Sequence, residues 1–467
     1  MTPAQRTLVI FGASGDLTAR LLLPGVGQLL ESPRGGDIQL LGVGDRPMSD
    51  DEWRQRVSDS FAAGGATGEW VPALLSATRY LQADVTKADD LRRVFAACDG
   101  LPALYFALPP AVTIAVCTAL RSVQIPEGTV LALEKPFGTD LVTARELNRQ
   151  LATLLPENQI HRVDHFLGKS TVLNLLGLRF ANRIFEPLWN GQNIERVEIV
   201  FEEKLGLEGR AGYYDKAGAL VDMIQSHLLL VLALVTIEPP SSIEPDDLRG
   251  AIAQALRATR VRGDDPSEAS RRARYTRGSI DDREFVDYVE EPGVDPARGT
   301  ETLAEVTLSV DNWRWAGVPF VLRSGKALSG VRKDIVITFK DVPHLPYGFE
   351  GGSGAERLRI SLSPDELELE ININGEGDPF VLDRVVLSTT FGAGELGPYG
   401  EVLAGILAGD PTLSVRGDAV EECWRIVEPV LTAWRAGEVP LDEYPAGSNG
   451  PAGWGTVRDV GAGEEGR

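Results

Sequence analysis

The sequence predicts an α/β chain in two parts, an N-terminal parallel sheet wound with helices and a second domain built on a large, mainly antiparallel sheet. Short, continuous apolar runs recur through residues 1–164 between helical stretches, the pattern of strands buried on both faces. A glycine turn joins the first run to the first helix. From about Asn193 onward the apolar residues fall at every second position instead. A chain of 467 residues is too long for one ordinary core, and the expected domains are 1–164 and 165–467.

Leu8-Val9-Ile10-Phe11 is the first strand, and Gly12-Ala13-Ser14-Gly15-Asp16-Leu17 leads from it into a helical stretch through Leu30. Glycines at such a turn let the backbone approach a pyrophosphate, which the free N–H groups of the helix N-terminus stabilise. Alone, a Gly-x-x-Gly turn reads equally well as a tight turn. Its context favours a nucleotide, because Ile38–Val43 forms a second strand, ending in Gly44-Asp45-Arg46, one βαβ unit away. Arg79–Ala83 is the third strand and closes on Asp84-Val85, where an adenine ring lies in such a fold. Ala103–Ala107 ends in Leu108-Pro109-Pro110, and Thr129–Leu133 ends in Glu134-Lys135-Pro136-Phe137-Gly138. Parallel sheets bind ligands at the carboxyl ends of their strands, and every one of these motifs sits at such an end. Residues 1–164 therefore read as a Rossmann-type dinucleotide-binding domain.

From Ile160 a short strand runs into Asp164, His165 and Lys169, ahead of a long helix. Taken alone, this cluster reads as well as a solvated charged turn. Glu203 comes next, then Asp222 and His227 near the head of Ala219–Ile237, a run almost long enough to span a membrane. Lipid penalises Asp222, Gln225 and His227, so a buried helix with one polar end is expected. His227 is desolvated there and needs a partner for its ring N–H, a need that a satisfied core histidine meets as well as a catalytic one. Of the other histidines, His161 and His344 are expected to carry no chemistry.

The strings FGASGDL, ALPP, EKPFG, RVDHFLGK, LRFANRIFEPLWN, EGRAGYYDKAGAL, DMIQSHLLL and DNWRWAGVPFVLRSGKAL occur in this order up to Leu328, with WRIVEPVLTAW near the end. Together they resemble the glucose-6-phosphate dehydrogenase family. The resemblance implies oxidation of C1 of glucose 6-phosphate to the 6-phosphoglucono-lactone, the entry to the pentose phosphate pathway, with hydride passed to NADP or NAD. It implies that the second domain is α+β, that its sheet forms a subunit contact, and that the chain is a homodimer or homotetramer. It assigns His227 as the base that takes the C1 hydroxyl proton, with Asp164 accepting the other ring N–H to hold the tautomer. His165 and Lys169 clamp the substrate phosphate, Glu203 and Asp222 hold sugar hydroxyls, and Lys135 and Lys326 bridge sugar and cofactor. Cofactor contacts fall on Gly12, Ala13, Ser14, Gly15, Asp16, Leu17, Asp45, Arg46, Asp84, Val85, Pro109 and Lys135.

The sequence departs from the family at four positions. Asp45 stands where an Arg usually binds the 2′-phosphate of NADP, and a carboxylate there suits the free 2′-OH of NAD. Either NAD is used well, or Arg46 and Arg20 rescue NADP. Phe166 replaces a Tyr, Ser226 an Asn, and Val331 a second basic residue after Lys326, with Arg332 and Lys333 directly behind it. A non-catalytic sugar-phosphate-binding relative with an assembly or regulatory role is the competing reading, and a dehydrogenase of another phosphosugar the third.

Lys+Arg 46 against Asp+Glu 68 gives a formal charge of −22, which disfavours nucleic-acid and anionic-membrane partners. Three scattered cysteines and an N-terminus without a basic region before a long apolar stretch fit a cytoplasmic protein. No metal is expected, since His and Cys are not grouped at ligand spacing. The charged stretch Gly263–Arg277 is expected as a mobile loop. Gly351–Gly354 and Gly392–Gly397 are expected as surface connections, and the acidic tail after Trp454 as a frayed end.

Overall fold

The computed structural model describes residues 6–36, 38–263, 265–351, 354–392 and 394–454. The acidic tail after Trp454 lies outside them, as do parts of the two glycine-rich connections. The chain divides into two compact units, one of Met1–Leu173, Glu238–Ala253 and Gly394–Trp424, the other of Asn174–Ile237, Gln254–Ala393 and Arg425–Arg467.

In the first unit, β1 (Arg6–Phe11), β2 (Gln39–Gly44), β3 (Arg79–Gln82), β4 (Leu101–Phe106), β5 (Val130–Glu134) and β6 (Ile160–Val163) form a sheet in the order β6-β5-β4-β1-β2-β3. All of these pairings are parallel. Leu8, Val9, Ile10 and Phe11 are wholly buried, as the unbroken apolar run requires of a strand covered on both faces. The helices are delimited by their caps. Ser49 and Glu52 form a capping box that opens Asp50–Ala63, and Asp140 with Thr143 opens Leu141–Ala152. Such a cap is worth about 1 kcal/mol.

Ser414–Val415 adds an antiparallel strand beside β6, which no local pattern announces. Two buried guanidinium groups fasten this returning segment. Arg162 bonds Glu157, Asn148 and the Val415 carbonyl, while Arg249 bonds Glu157 and the Ser414 carbonyl. The helix Pro398–Ala408 is thereby part of the first unit and brings Tyr399 to it.

In the second unit, Leu382–Thr390, Asp365–Asn374, Arg357–Leu362, Arg332–Phe339, Ile194–Glu202, Phe320–Gly325, Leu303–Val310, Ser270–Thr276 and Leu441–Pro445 lie side by side in that order. Thr259–Val261 also pairs with Leu303–Val310. The pairings are antiparallel except Ile194–Glu202 with Phe320–Gly325 and Ser270–Thr276 with Leu441–Pro445. Part of the expected loop 263–277 is thus a strand. Its arginines have partners along the ladder: Arg271 on Glu305, Arg272 on the Val439 carbonyl and Arg274 on Glu443.

The apolar run is helical and buried in this unit, as a π-helix Leu220–Leu228 continued by an α-helix Leu229–Thr236. It packs on the strands Ile194–Glu202, Leu303–Val310 and Phe320–Gly325.

Candidate active site

The carboxyl ends of the first unit's strands carry the nucleotide-type features. Gly12 has φ +82°, and a Cβ there would stand 2.2 Å from the Ala107 carbonyl oxygen, so glycine is required where the turns after β1 and β4 meet. Ser14 and Gly15 are half-buried, and the guanidinium of Arg56 donates to their carbonyl oxygens at 2.9 and 2.7 Å. Arg56 sits on the helix Asp50–Ala63, and sequence reasoning missed it because the contact spans about forty residues. A half-exposed glycine turn with a cation fixed behind it fits a pyrophosphate, so the residues present suit a dinucleotide.

Beyond β2, the backbone of Asp45 and Arg46 is pinned by Gln82 Nε2 on the Asp45 carbonyl and Tyr80 Oη on the Arg46 carbonyl. Both side chains are exposed, and among the described residues neither makes a hydrogen bond or ion pair. Arg20 instead faces Asp16 at 3.4 Å. Asp84 is held in its own turn by Thr86 and Lys87, which lower its carboxyl, beside a buried Val85. Pro109 precedes the helix Pro110–Leu120.

β6 delivers the charged cluster. Asp164 caps a 3-10 turn, His165–Gly168, by accepting from the Phe166 amide at 3.0 Å, and it is 1% exposed. The buried Phe166 ring supports both neighbours, with the Lys169 ammonium 4.6 Å from its centroid and the His165 ring against its edge. The other side of His165 stacks on Tyr399 at 5.5 Å and 13°. Phe166 thus packs against both His165 and Lys169. Beside Lys135, Glu134 is half-buried and receives the hydroxyl of Tyr105 at 2.5 Å. Burial pushes its carboxyl up to about 7, against the pull of Tyr105 and Lys135.

The second unit brings together a different set. Glu203 is gripped by Lys326 at 2.9 Å and Lys333 at 3.2 Å. Burial works to raise the Glu203 carboxyl, and the two ammonium groups outweigh it, holding it below its ordinary range. Lys333 shares strand parity with position 331 and meets Glu203, whereas Arg332 turns the other way to Asp334. Lys326 is followed by Ala327 at φ +51°, a left-handed non-glycine residue. Asp222 receives the Tyr213 hydroxyl, another contact the sequence did not announce. His227 is 2% exposed on the π-helix, a helix form frequent at functional sites. His161, by contrast, is a core group bonded to Ser414, and burial lowers its pKa to about 3.

Residues 9–174 match the family model "Glucose-6-phosphate dehydrogenase, NAD binding domain", and residues 176–459 match "Glucose-6-phosphate dehydrogenase, C-terminal domain". The chain belongs to the glucose-6-phosphate dehydrogenase family. Relatives named glucose-6-phosphate 1-dehydrogenase include one from Treponema pallidum, 37% identical with 96% of this chain and 93% of the relative covered. Another, from Mycolicibacterium smegmatis, is 37% identical over 95% of this chain and 94% of the relative. The crystal structure of the Mycobacterium avium glucose-6-phosphate 1-dehydrogenase superposes with a TM-score of 0.84 at 34% identity, covering 96% of each chain. A glucose-6-phosphate dehydrogenase in complex with glucose 6-phosphate gives 0.87 at 29% identity over 97% of each. Within the glucose-6-phosphate dehydrogenase family, then, this chain keeps both domains, with a Rossmann-type parallel sheet and a large, mainly antiparallel one.

Proposed function

We propose that the chain oxidises C1 of glucose 6-phosphate to 6-phosphoglucono-lactone with NADP or NAD as acceptor. The observation that carries this is the family match across both domains, in a chain that retains Asp164, His165, Lys169 and His227. When bound, the nicotinamide supplies the hydride acceptor at C1. Gly12–Leu17 and Asp45–Arg46 hold the dinucleotide, with Asp84, Val85, Pro109 and Lys135 at its flanks.

His227 takes the proton of the C1 hydroxyl as the carbonyl forms, and Asp164 fixes its tautomer and stabilises the imidazolium. Positioned general bases contribute about 10²–10⁴ in rate. His165 and Lys169 bind the phosphate with charge-assisted hydrogen bonds, steadied by the Phe166 and Tyr399 rings. Glu203, already ionised between two lysines, and Asp222 accept from sugar hydroxyls, and Lys135 and Lys326 bridge sugar and cofactor. A binding module with an assembly role has no use for such a base, and the family match supports the enzyme.

Following nicotinamide absorbance with glucose 6-phosphate, other hexose phosphates and free glucose tests the substrate. Reduction is expected with glucose 6-phosphate, and a larger kcat/KM on another hexose phosphate overturns the assignment. Lys333→Ala raises KM for glucose 6-phosphate about tenfold with little change in kcat, as removal of one charged hydrogen bond dictates. An unchanged KM would place Lys333 outside the sugar site.

The proposed assembly is a homodimer or homotetramer. In its support, the outermost strand Leu382–Thr390 exposes Val386 and Leu387, and its neighbour exposes Ile373, an edge that soluble proteins normally cover. Light scattering should give the mass of two or four chains, and a single-chain mass contradicts it. Partners are the small substrate and cofactor, with no nucleic acid or membrane, and the sparse cysteines favour the cytoplasm.

A further inference from the structure

The helix that carries Asp222 and His227 begins at an unusual joint. Gly218 breaks the preceding helix with φ +68° and ψ 176°, and the π-helix starts at Leu220. The first N–H groups of a helix have no partner within it, and in the protein interior each needs one. Leu220 N–H finds it in the Glu301 side chain, donating to Oε1 at 3.0 Å, and Ala219 N–H donates to the Glu301 backbone carbonyl at 3.3 Å. The Glu301 carboxylate lies so close to Gly218 that a Cβ there would stand 2.2 Å from Oε1 and 2.7 Å from Oε2. Glycine at 218 and glutamate at 301 are thus one fitted pair. Glu301 is 7% exposed, and among the described residues no lysine or arginine forms an ion pair with it. A buried carboxylate held mainly by backbone N–H groups is costly, and this one acts where the base-bearing helix enters the core.

We propose that Glu301 is a positioning residue for His227, fixing through Leu220 and Gly218 the start of the π-helix from which Asp222 and the base project. It touches no substrate in this role and acts through the helix. The inference rests on the reading of His227 as the base.

Burial raises the Glu301 carboxyl to about 7, and the hydrogen bonds from Leu220 and Ala219 and the charge of Arg272 pull against it. Arg272 on the strand Ser270–Thr276, Tyr214 on the helix Ala211–Ala219 and Tyr288 on the turn Tyr288–Glu290 are the titratable groups that face it. An ionised carboxylate accepts more strongly than a neutral one, so loss of its proton and loss of the His227 proton both favour turnover. On the acid side, log kcat of the wild type therefore falls with a slope steeper than one.

Three variants of the full chain test this. Glu301→Gln keeps the volume but is locked in the weaker acceptor state of the protonated carboxyl, so kcat at neutral pH falls about tenfold and the acid slope relaxes to one. Glu301→Ala strands the Leu220 N–H, and Gly218→Ala displaces the carboxylate; in both, kcat falls about 10–100-fold while KM for the nicotinamide stays unchanged. Unchanged kcat in Glu301→Ala, or a parallel rise in nicotinamide KM, overturns the role. If the alanine variants do not fold, an acid slope in Glu301→Gln equal to that of the wild type overturns it by itself. His227→Asn run alongside separates the two readings. Wild-type turnover in His227→Asn removes the base on which the role rests, whereas turnover lost there but intact in Glu301→Ala removes the role of Glu301 alone.

Discussion

Replacing His227 with asparagine lowers kcat by about 10²–10⁴ while the affinity for glucose 6-phosphate stays within about twofold. Asparagine occupies a similar volume and offers a donor and an acceptor, but it cannot carry a proton at neutral pH. The imidazole is 2% exposed, in a helix whose next turns are wholly apolar, so removing its basicity leaves the packing almost intact. The measurement is a pair, steady-state kinetics and equilibrium binding of the sugar phosphate. Loss of binding together with turnover would instead make His227 a core histidine whose removal disturbs the site. Asp164→Asn should follow in the same direction, because a neutral amide cannot balance the imidazolium charge and can turn its NH2 toward the ring, favouring the wrong tautomer.

The second large effect is on cofactor choice. Wild-type kcat/KM with NAD is expected to equal or exceed that with NADP, and Asp45→Arg should raise the NADP-to-NAD ratio about 10–100-fold. Tyr80 and Gln82 hold the Arg46 and Asp45 carbonyls, so the backbone here is fixed and the exposed side chains decide what the ribose meets. A carboxylate accepts from a 2′-OH and repels a 2′-phosphate. Arg46 is the one neighbouring cation with no partner among the described residues, since Arg20 already faces Asp16. A strong NADP preference in the wild type would mean that Arg46 overrides Asp45, and Arg46→Ala would then abolish that preference.

The strands of the first sheet were legible because a strand buried on both faces must be written as an unbroken apolar run, as Leu8–Phe11 and Val130–Leu133 are. Ser270–Thr276 was not legible. Its sequence, SRRARYT, reads as a solvated loop until Glu305, the Val439 carbonyl and Glu443 are placed opposite its arginines, and those partners are remote in sequence. Among the site residues, Asp164, His165 and Lys169 were visible because a single turn of chain holds all three. Arg56, Tyr213, Tyr399 and Glu301 were not, since each matters through one contact with a distant or differently folded segment. Lys333 lies between these cases. The sequence offered Arg332 and Lys333 alike, and the ion pair of Lys333 with Glu203 is a contact across strands that no local pattern announces.

In the proposed reaction hydride leaves C1 of glucose 6-phosphate while His227 removes the hydroxyl proton. Glucose 6-phosphate deuterated at C1 tests this most directly, with the reduced nicotinamide analysed for label. Deuterium is expected in the reduced nicotinamide from the wild type and almost none from His227→Asn in the same time. Deuterium retained at C1 while nicotinamide is reduced would contradict it.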